Sequence, residues 1–257
     1  MENIFKVKVN KYLPAKLEIK KFSGGETQVT FHNPSTSDEG NIVELFALIR
    51  DGDIMPLALV VDAIRREIKN PIINLHLPYL PYARQDRVMN KGESLAVKVY
   101  CDFINSLNFN TVKVDDCHSD VGVALLNNVT NDQSFIPEVQ ELDFDVLVAP
   151  DAGALKKTYK YAKILNKPVI RADKERDVKT GNITGTVVYE DVEGKKVLIM
   201  DDISDGGRTF IELAKVLYAK GAKEVTLYVT HGIFSYGKQV LYDAGIKVLS
   251  KYDWTEI

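Results

Sequence analysis

The chain is 257 residues long, 45% hydrophobic and 27% charged, which is ordinary for a water-soluble globular protein with one large domain or two modest ones. Its 33 basic and 36 acidic residues leave a net charge of −3, against a broadly basic nucleic-acid binder, and two cysteines argue against a disulfide framework or a thiolate-rich zinc site. No apolar run reaches membrane-spanning length and the first residues lack a signal-peptide core, so the expectation is a cytoplasmic protein that binds neither membrane nor nucleic acid.

In chain order, the apolar run 42–49 (IVELFALI) reads as a strand. Leu57, Val60, Val61, Ile64 and Ile68 then recur at helical spacing over 54–68, with Asp53 as the expected N-cap and Pro56 tolerated in the first turn. A strand at 71–77, a helix at about 94–107 and a strand at 111–115 follow. The polar stretch 127–143, with Pro137, marks the expected boundary between two similar halves, 1–136 and 137–257. The second half predicts strand 145–149, helix 153–165, strands 168–171, 184–189 and 196–200, helix 209–220 and strand 224–229. Thr209 and Glu212 have capping-box spacing, and Gly221 stands where a helix would stop. VLVA (146–149) and VLIM (197–200) are apolar throughout, as strands buried on both faces of a parallel sheet are. Alternating strands and helices predict an α/β fold: two domains, each a mainly parallel sheet flanked by helices.

The strongest local signal is VLIMDDISDGGRT, residues 197–209. A buried strand ends in adjacent carboxylates, Asp201 and Asp202, a Gly206-Gly207 turn follows, and a helix begins at Thr209. Ligands in open α/β sheets sit at the carboxyl ends of strands, and a glycine turn feeding a helix offers free N–H groups to a phosphate. Carboxylates beside it suit sugar hydroxyls or a hydrated Mg²⁺. Taken alone, the same residues also fit an Asp-rich turn with Thr209 as a structural cap. In PYARQDR (81–87), Arg84 and Arg87 can pair bidentately with phosphate, and Gln85 and Asp86 add hydrogen-bonding groups; an isolated RQDR would more simply be a solvated loop.

Six further stretches stand beside that glycine loop: KKFSGGET (20–27), PYARQDR (81–87), DDCHSD (115–120), VAPDAGALKK (148–157), KERD (174–177) and THGIFS (230–235). In this order, across nearly the whole chain, they resemble the ribose-phosphate diphosphokinase family, whose two domains are phosphoribosyltransferase-like. The resemblance implies Mg²⁺-dependent transfer of diphosphate from ATP to ribose 5-phosphate, giving 5-phosphoribosyl 1-diphosphate and AMP for nucleotide biosynthesis. It implies ATP contacts from Arg84, Gln85, Asp86, Arg87 and His118, and from Phe22 and Glu26 reaching a neighbouring subunit's adenine. Phe22 also fits plain core packing. The resemblance further implies metal contacts from Asp116, His118 and Asp151, and catalytic roles for His118 and for Lys174 and Arg176 on a mobile lid. The ribose 5-phosphate would lie against Asp201, Asp202, Ser204, Asp205, Gly206, Gly207, Arg208 and Thr209. His231, within THGIFS, reads as structural.

Two departures qualify the match. Gly206 stands where the family's loop has Thr, and Arg208 where it has Gly, so altered ribose 5-phosphate affinity is expected with the reaction intact. The chain is also shorter at both ends than typical members, and 32–44 lacks the family's usual pattern. A homo-oligomer of at least two subunits is expected, with a hexamer possible but regulation and higher assembly in question. A phosphoribosyltransferase would need no ATP loop, and a non-catalytic homologue would have lost groups that are all present here.

Overall fold

The computed structural model describes residues 3–35, 41–176 and 183–256, with the side chains of all these but 174–176 and 183–184. Two compact units divide the chain, Met1–Ser134 and Phe135–Ile257.

Unit one opens with an antiparallel meander, β1 (Ile4–Val9), β2 (Leu13–Lys21) and β3 (Thr27–His32). The chain then enters parallel order with β4 (Ile42–Leu48), α1 (Met55–Glu67), β5 (Ile72–His76), α2 (Ala96–Ser106), β6 (Thr111–Asp115), α3 (Asp120–Leu125) and β7 (Val129–Asp132). The seven-stranded sheet has the order β3-β2-β1-β4-β5-β6-β7. Helix α1 buries Leu57, Val60, Val61 and Ile64, the spacing read from the sequence. It starts two residues after Asp53, whose carboxylate accepts the Met55 N–H at 3.0 Å. Among the described residues, the buried apolar side chains of this unit other than Leu48 form one large cluster. The opposite sheet face carries Glu44, Phe46, Asn74, His76 and Lys113, each only partly buried, which is why these strands alternate.

Unit two contains β8 (Val146–Ala149), α4 (Leu155–Leu165), β9 (Val169–Arg176), β10 (Ile183–Val188), β11 (Lys196–Ser204), α5 (Arg208–Ala219), β12 (Glu224–Gly232), α6 (Gln239–Tyr242) and β13 (Ile246–Asp253). Its six strands run in the order β10-β9-β8-β11-β12-β13, all parallel pairs except β9 with β10. Here the core is double. Val146, Val148, Val197 and Ile199 pack with α5, while Leu147, Leu198 and Met200 pack with Tyr161 of α4 on the other face. Burial on both faces is the physical reason these runs are apolar throughout.

Three local expectations need correction. Asp53 is not the N-cap of α1: that position is Ile54, and no side chain bonds the cap. Thr209 does not cap α5: the helix begins at Arg208 with Gly207 as N-cap, no side chain bonds the cap, and Glu212 pairs with Lys215 at 3.1 Å. The strand expected over 168–171 continues to Arg176, so Lys174 and Arg176 have strand backbone opposite Thr186 and Ile183. The stop at Gly221 is as expected. With φ of +84° it lets its own N–H reach the Tyr218 carbonyl and the Ala222 N–H reach that of Leu217, a Schellman closure. Among the described residues no helix is long and apolar enough to cross a membrane. Both cysteines are free and buried, and burial pushes the Cys101 thiol up to about 12.

Candidate active site

The chemistry-bearing residues of unit one gather at the carboxyl ends of its parallel strands. After β5 the chain plunges Leu80 and Ala83 into the core, each 2% exposed, and turns through Tyr82 at φ +63°. The Gln85 N–H donates to the Tyr82 carbonyl at 2.8 Å. These anchors leave Arg84 and Gln85 in solvent on a fixed loop. Glu93 closes the loop by accepting the N–H groups of Met89 and Asn90 at 2.9 and 3.0 Å. The result is a cleft of about 820 Å³ lined by Arg84, Gln85, Asp86, Arg87, Glu93 and His118. The structure therefore brings His118 to the arginine loop, although 31 residues separate Arg87 from it.

Within the cleft, Arg87 is turned onto Asp86, Nε to Oδ1 at 2.9 Å and a terminal nitrogen to Oδ2 at 3.4 Å. That hydrogen-bonded guanidinium holds the Asp86 carboxyl below the ordinary carboxylate range. Arg87 thus braces its neighbour, and Arg84 lies exposed on the same loop. Asp116 lies just behind, 1% exposed with φ +50°, its N–H donating to the Asp132 carbonyl at 2.7 Å. This left-handed turn throws His118 out into the cleft. Beneath it, Asp115 accepts from His76 at 3.1 Å and Lys113 pairs with Asp132 at 2.8 Å, so charged groups brace the strand ends.

Phe22 and Glu26 close the β2–β3 hairpin, where the Phe22 N–H donates to the Glu26 carbonyl at 2.8 Å. Phe22 is 55% exposed, which removes core packing as the reason for an aromatic there.

Unit two builds its half around the end of β11. The strand runs four residues beyond the expected end and carries Asp201, Asp202 and Ser204 within it. Burial, then the adjacent Asp202 carboxylate, pushes the Asp201 carboxyl well above its ordinary range. Lys157, from α4, reaches Asp202 Oδ1 at 3.7 Å, both side chains largely buried. In the sequence the one signal for Lys157 is its place as second of a lysine pair on the apolar side of that helix. Gly207 at φ +76° turns the chain into the twelve-residue α5, whose first N–H groups face the loop. A side chain at 207 would be strained by that φ and would meet Leu241 Cδ2 at 3.0 Å. Arg208 is exposed, while Thr209 is half-buried.

Asp151, after β8, accepts the N–H groups of Gly153 and Ala154 on Oδ1 at 3.0 and 3.1 Å and so also organises the entry to α4. His231 is 1% exposed and stacks on Tyr252, centroids 5.7 Å apart, a structural placement. The side chains of Lys174 and Arg176 lie outside the described residues, as do 36–40 within the divergent stretch 32–44. Among the described residues no three His, Cys, Asp or Glu side chains cluster to hold a metal by themselves.

With this geometry in place, residues 5–107 match the family model for the N-terminal domain of ribose phosphate pyrophosphokinase, and residues 137–254 match the phosphoribosyl transferase domain. A ribose-phosphate pyrophosphokinase of Oceanobacillus iheyensis is 31% identical over 231 residues, covering 86% of this chain and 71% of that protein. One from Saccharolobus solfataricus is 29% identical over 241 residues, covering 91% and 82%. The phosphoribosylpyrophosphate synthetase of Mycobacterium smegmatis has the same fold, with a TM-score of 0.78 at 24% identity over 92% of this chain and 86% of that one.

Proposed function

The chain belongs to the ribose-phosphate pyrophosphokinase family, and from that membership we propose that it transfers diphosphate from ATP to ribose 5-phosphate with Mg²⁺, releasing AMP. The observation that carries the reading is that one chain holds both a main-chain phosphate loop at Gly206-Gly207 and a separate arginine cleft joined by His118. A transferase that consumed the diphosphate would need only the first.

In this reading the ribose C1 hydroxyl attacks the β-phosphorus of ATP and AMP leaves. Arg84 and Gln85 take the nucleotide phosphates, and Asp86, braced by Arg87, holds a hydrogen-bonding edge toward the nucleotide. The loop from Ser204 to Thr209 seats the 5-phosphate, with Asp201 and Asp202 orienting the sugar. Lys174 and Arg176 supply positive charge as it grows on the transferred group, which is where electrostatic help is worth most. Among the described residues the acids and His118 form no closed cage. That fits a hydrated Mg²⁺ that takes most ligands from phosphate and water. Asp116, His118 and Asp151 are the donors we assign to it, and when bound it would offset the phosphate charge. The exposed hairpin tip at Phe22 and Glu26 supports an assembly of at least two subunits, each lending these residues to a neighbour.

The direct test is AMP formation from ATP, ribose 5-phosphate and Mg²⁺. Production of AMP that depends on all three is the expected result, and none above background over a range of phosphate concentrations overturns the proposal. Light scattering of the active enzyme that finds only monomer overturns the assembly.

A further inference from the structure

Gly206 does not have the positive φ that demands glycine, so its backbone conformation leaves room for other residues. Space decides instead. A Cβ at 206 would sit 3.0 Å from Tyr236 Cε2 and 3.2 Å from Cδ2, with Ser235 Oγ at 4.0 Å. Cε2 and Cδ2 are neighbours on one side of the phenol, so a ring edge lies against the loop at 206 and the hydroxyl stands beyond it.

The turn holding Tyr236 is tied to that loop by backbone. The Ile233 and Phe234 N–H groups both donate to the Ser204 carbonyl, at 2.9 and 3.1 Å, and the Ser235 N–H donates to that of Asp205 at 3.2 Å. Phe234 is 2% exposed at φ +47°, and its ring occupies the space above Gly232 that any side chain there would need. Tyr236 itself is 75% exposed. A single exposed aromatic is unremarkable. Here, however, a rigid turn holds the ring over a glycine of the phosphate loop.

We infer that Tyr236 is a substrate-contacting residue of this loop: with its ring edge in the space that a side chain at 206 would otherwise fill, its hydroxyl donates a hydrogen bond to the 5-phosphate of ribose 5-phosphate. The inference rests on the reading of 204–209 as the ribose 5-phosphate seat. It assigns the site one phenolic donor beyond the backbone N–H groups, and it explains why position 206 lacks a side chain.

Calorimetric titration of the full chain with ribose 5-phosphate tests it. Tyr236→Phe keeps the ring against Gly206 and removes only the donor, and should weaken binding about tenfold or more, the range of one hydrogen bond to a charged acceptor. Tyr236→Ala should weaken it at least as much, and ATP binding should be unchanged in both. Gly206→Ala should weaken binding in the parent but much less in a Tyr236→Ala background, because the two side chains compete for one space. Unchanged ribose 5-phosphate affinity in Tyr236→Phe overturns the inference, whatever Tyr236→Ala does, and leaves the functional reading standing. A parent that binds no ribose 5-phosphate overturns that reading and the inference with it.

Discussion

In the proposed reaction the two units would meet phosphate in different ways. Unit one offers side chains: Arg84 on a loop pinned by Leu80 and Ala83, with His118 turned out by Asp116. Unit two offers backbone: the Gly207 turn and the first N–H groups of α5. The sheets differ in parallel. That of unit two is covered on both faces, and its main-chain donors follow directly from the buried strand β11. Unit one, packed on one face, positions long side chains by anchoring the loop that bears them. A side-chain site loses affinity when a charge is removed, whereas a backbone site loses it when space is taken away.

The largest expected effect belongs to neither the arginine cleft nor the glycine loop. Lys174→Ala should lower kcat by about a hundredfold or more with ATP binding nearly unchanged, since a cation aimed at the transition state contributes little to ground-state affinity. Single-turnover rates and ATP titration separate the two quantities, and a loss confined to ATP affinity would mean the wrong role.

Gly207→Val tests the backbone half. The left-handed turn costs a branched residue about 1–2 kcal/mol, and the contact with Leu241 adds to it. Melting temperature should fall and ribose 5-phosphate binding should be abolished, with ATP binding retained. Retained ribose 5-phosphate affinity would break the contrast between the units.

Arg84→Ala tests the side-chain half. It should raise the KM for ATP about tenfold without lowering stability, since a charged hydrogen bond contributes roughly 1.5–3 kcal/mol. Arg87→Ala should act differently, freeing Asp86: the Asp86 carboxyl should titrate closer to its ordinary range, measurable by NMR.

Arg208 lets the second half borrow from the first. An exposed cation at a helix start opposes the dipole unless an anion is bound there. Arg208→Gly should therefore raise the KM for ribose 5-phosphate about tenfold while ATP constants barely move. An unchanged KM would remove Arg208 from the site.

The smallest effect is on stability. Because the folded state raises the Asp201 carboxyl above its unfolded value, that group favours folding at low pH. This advantage fades as pH rises from the unfolded value, about 3.9, through the raised folded one. Asp201→Asn should thus melt higher than the parent at pH 8 without ligand, with the gain disappearing toward pH 4. A gain that grows with acidity would contradict the buried-pair account.

Much of this was legible without coordinates. Apolar period alone located α1 through Leu57, Val60, Val61 and Ile64, and the runs 146–149 and 197–200 announced strands covered on both faces, because burial leaves a direct mark on residue type. Glycines and carboxylates at 201–207 pointed to a ligand loop, the reading carried into the proposed function, because few other needs combine those residue types at a strand end. What the sequence did not show depends on distances between segments far apart in the chain. Nothing local says that Glu93 closes the arginine loop, that Arg87 folds back on Asp86, or that Lys157 reaches Asp202. The helix start at Arg208 in place of Thr209 was decided by Gly207's left-handed turn, which makes Gly207 the N-cap and leaves the first N–H groups of α5 without a capping hydroxyl. Position 206 shows the division most plainly. Its residue type is written in the sequence, but the reason for it, a ring 30 residues later, exists only once β12 lays its following turn beside β11.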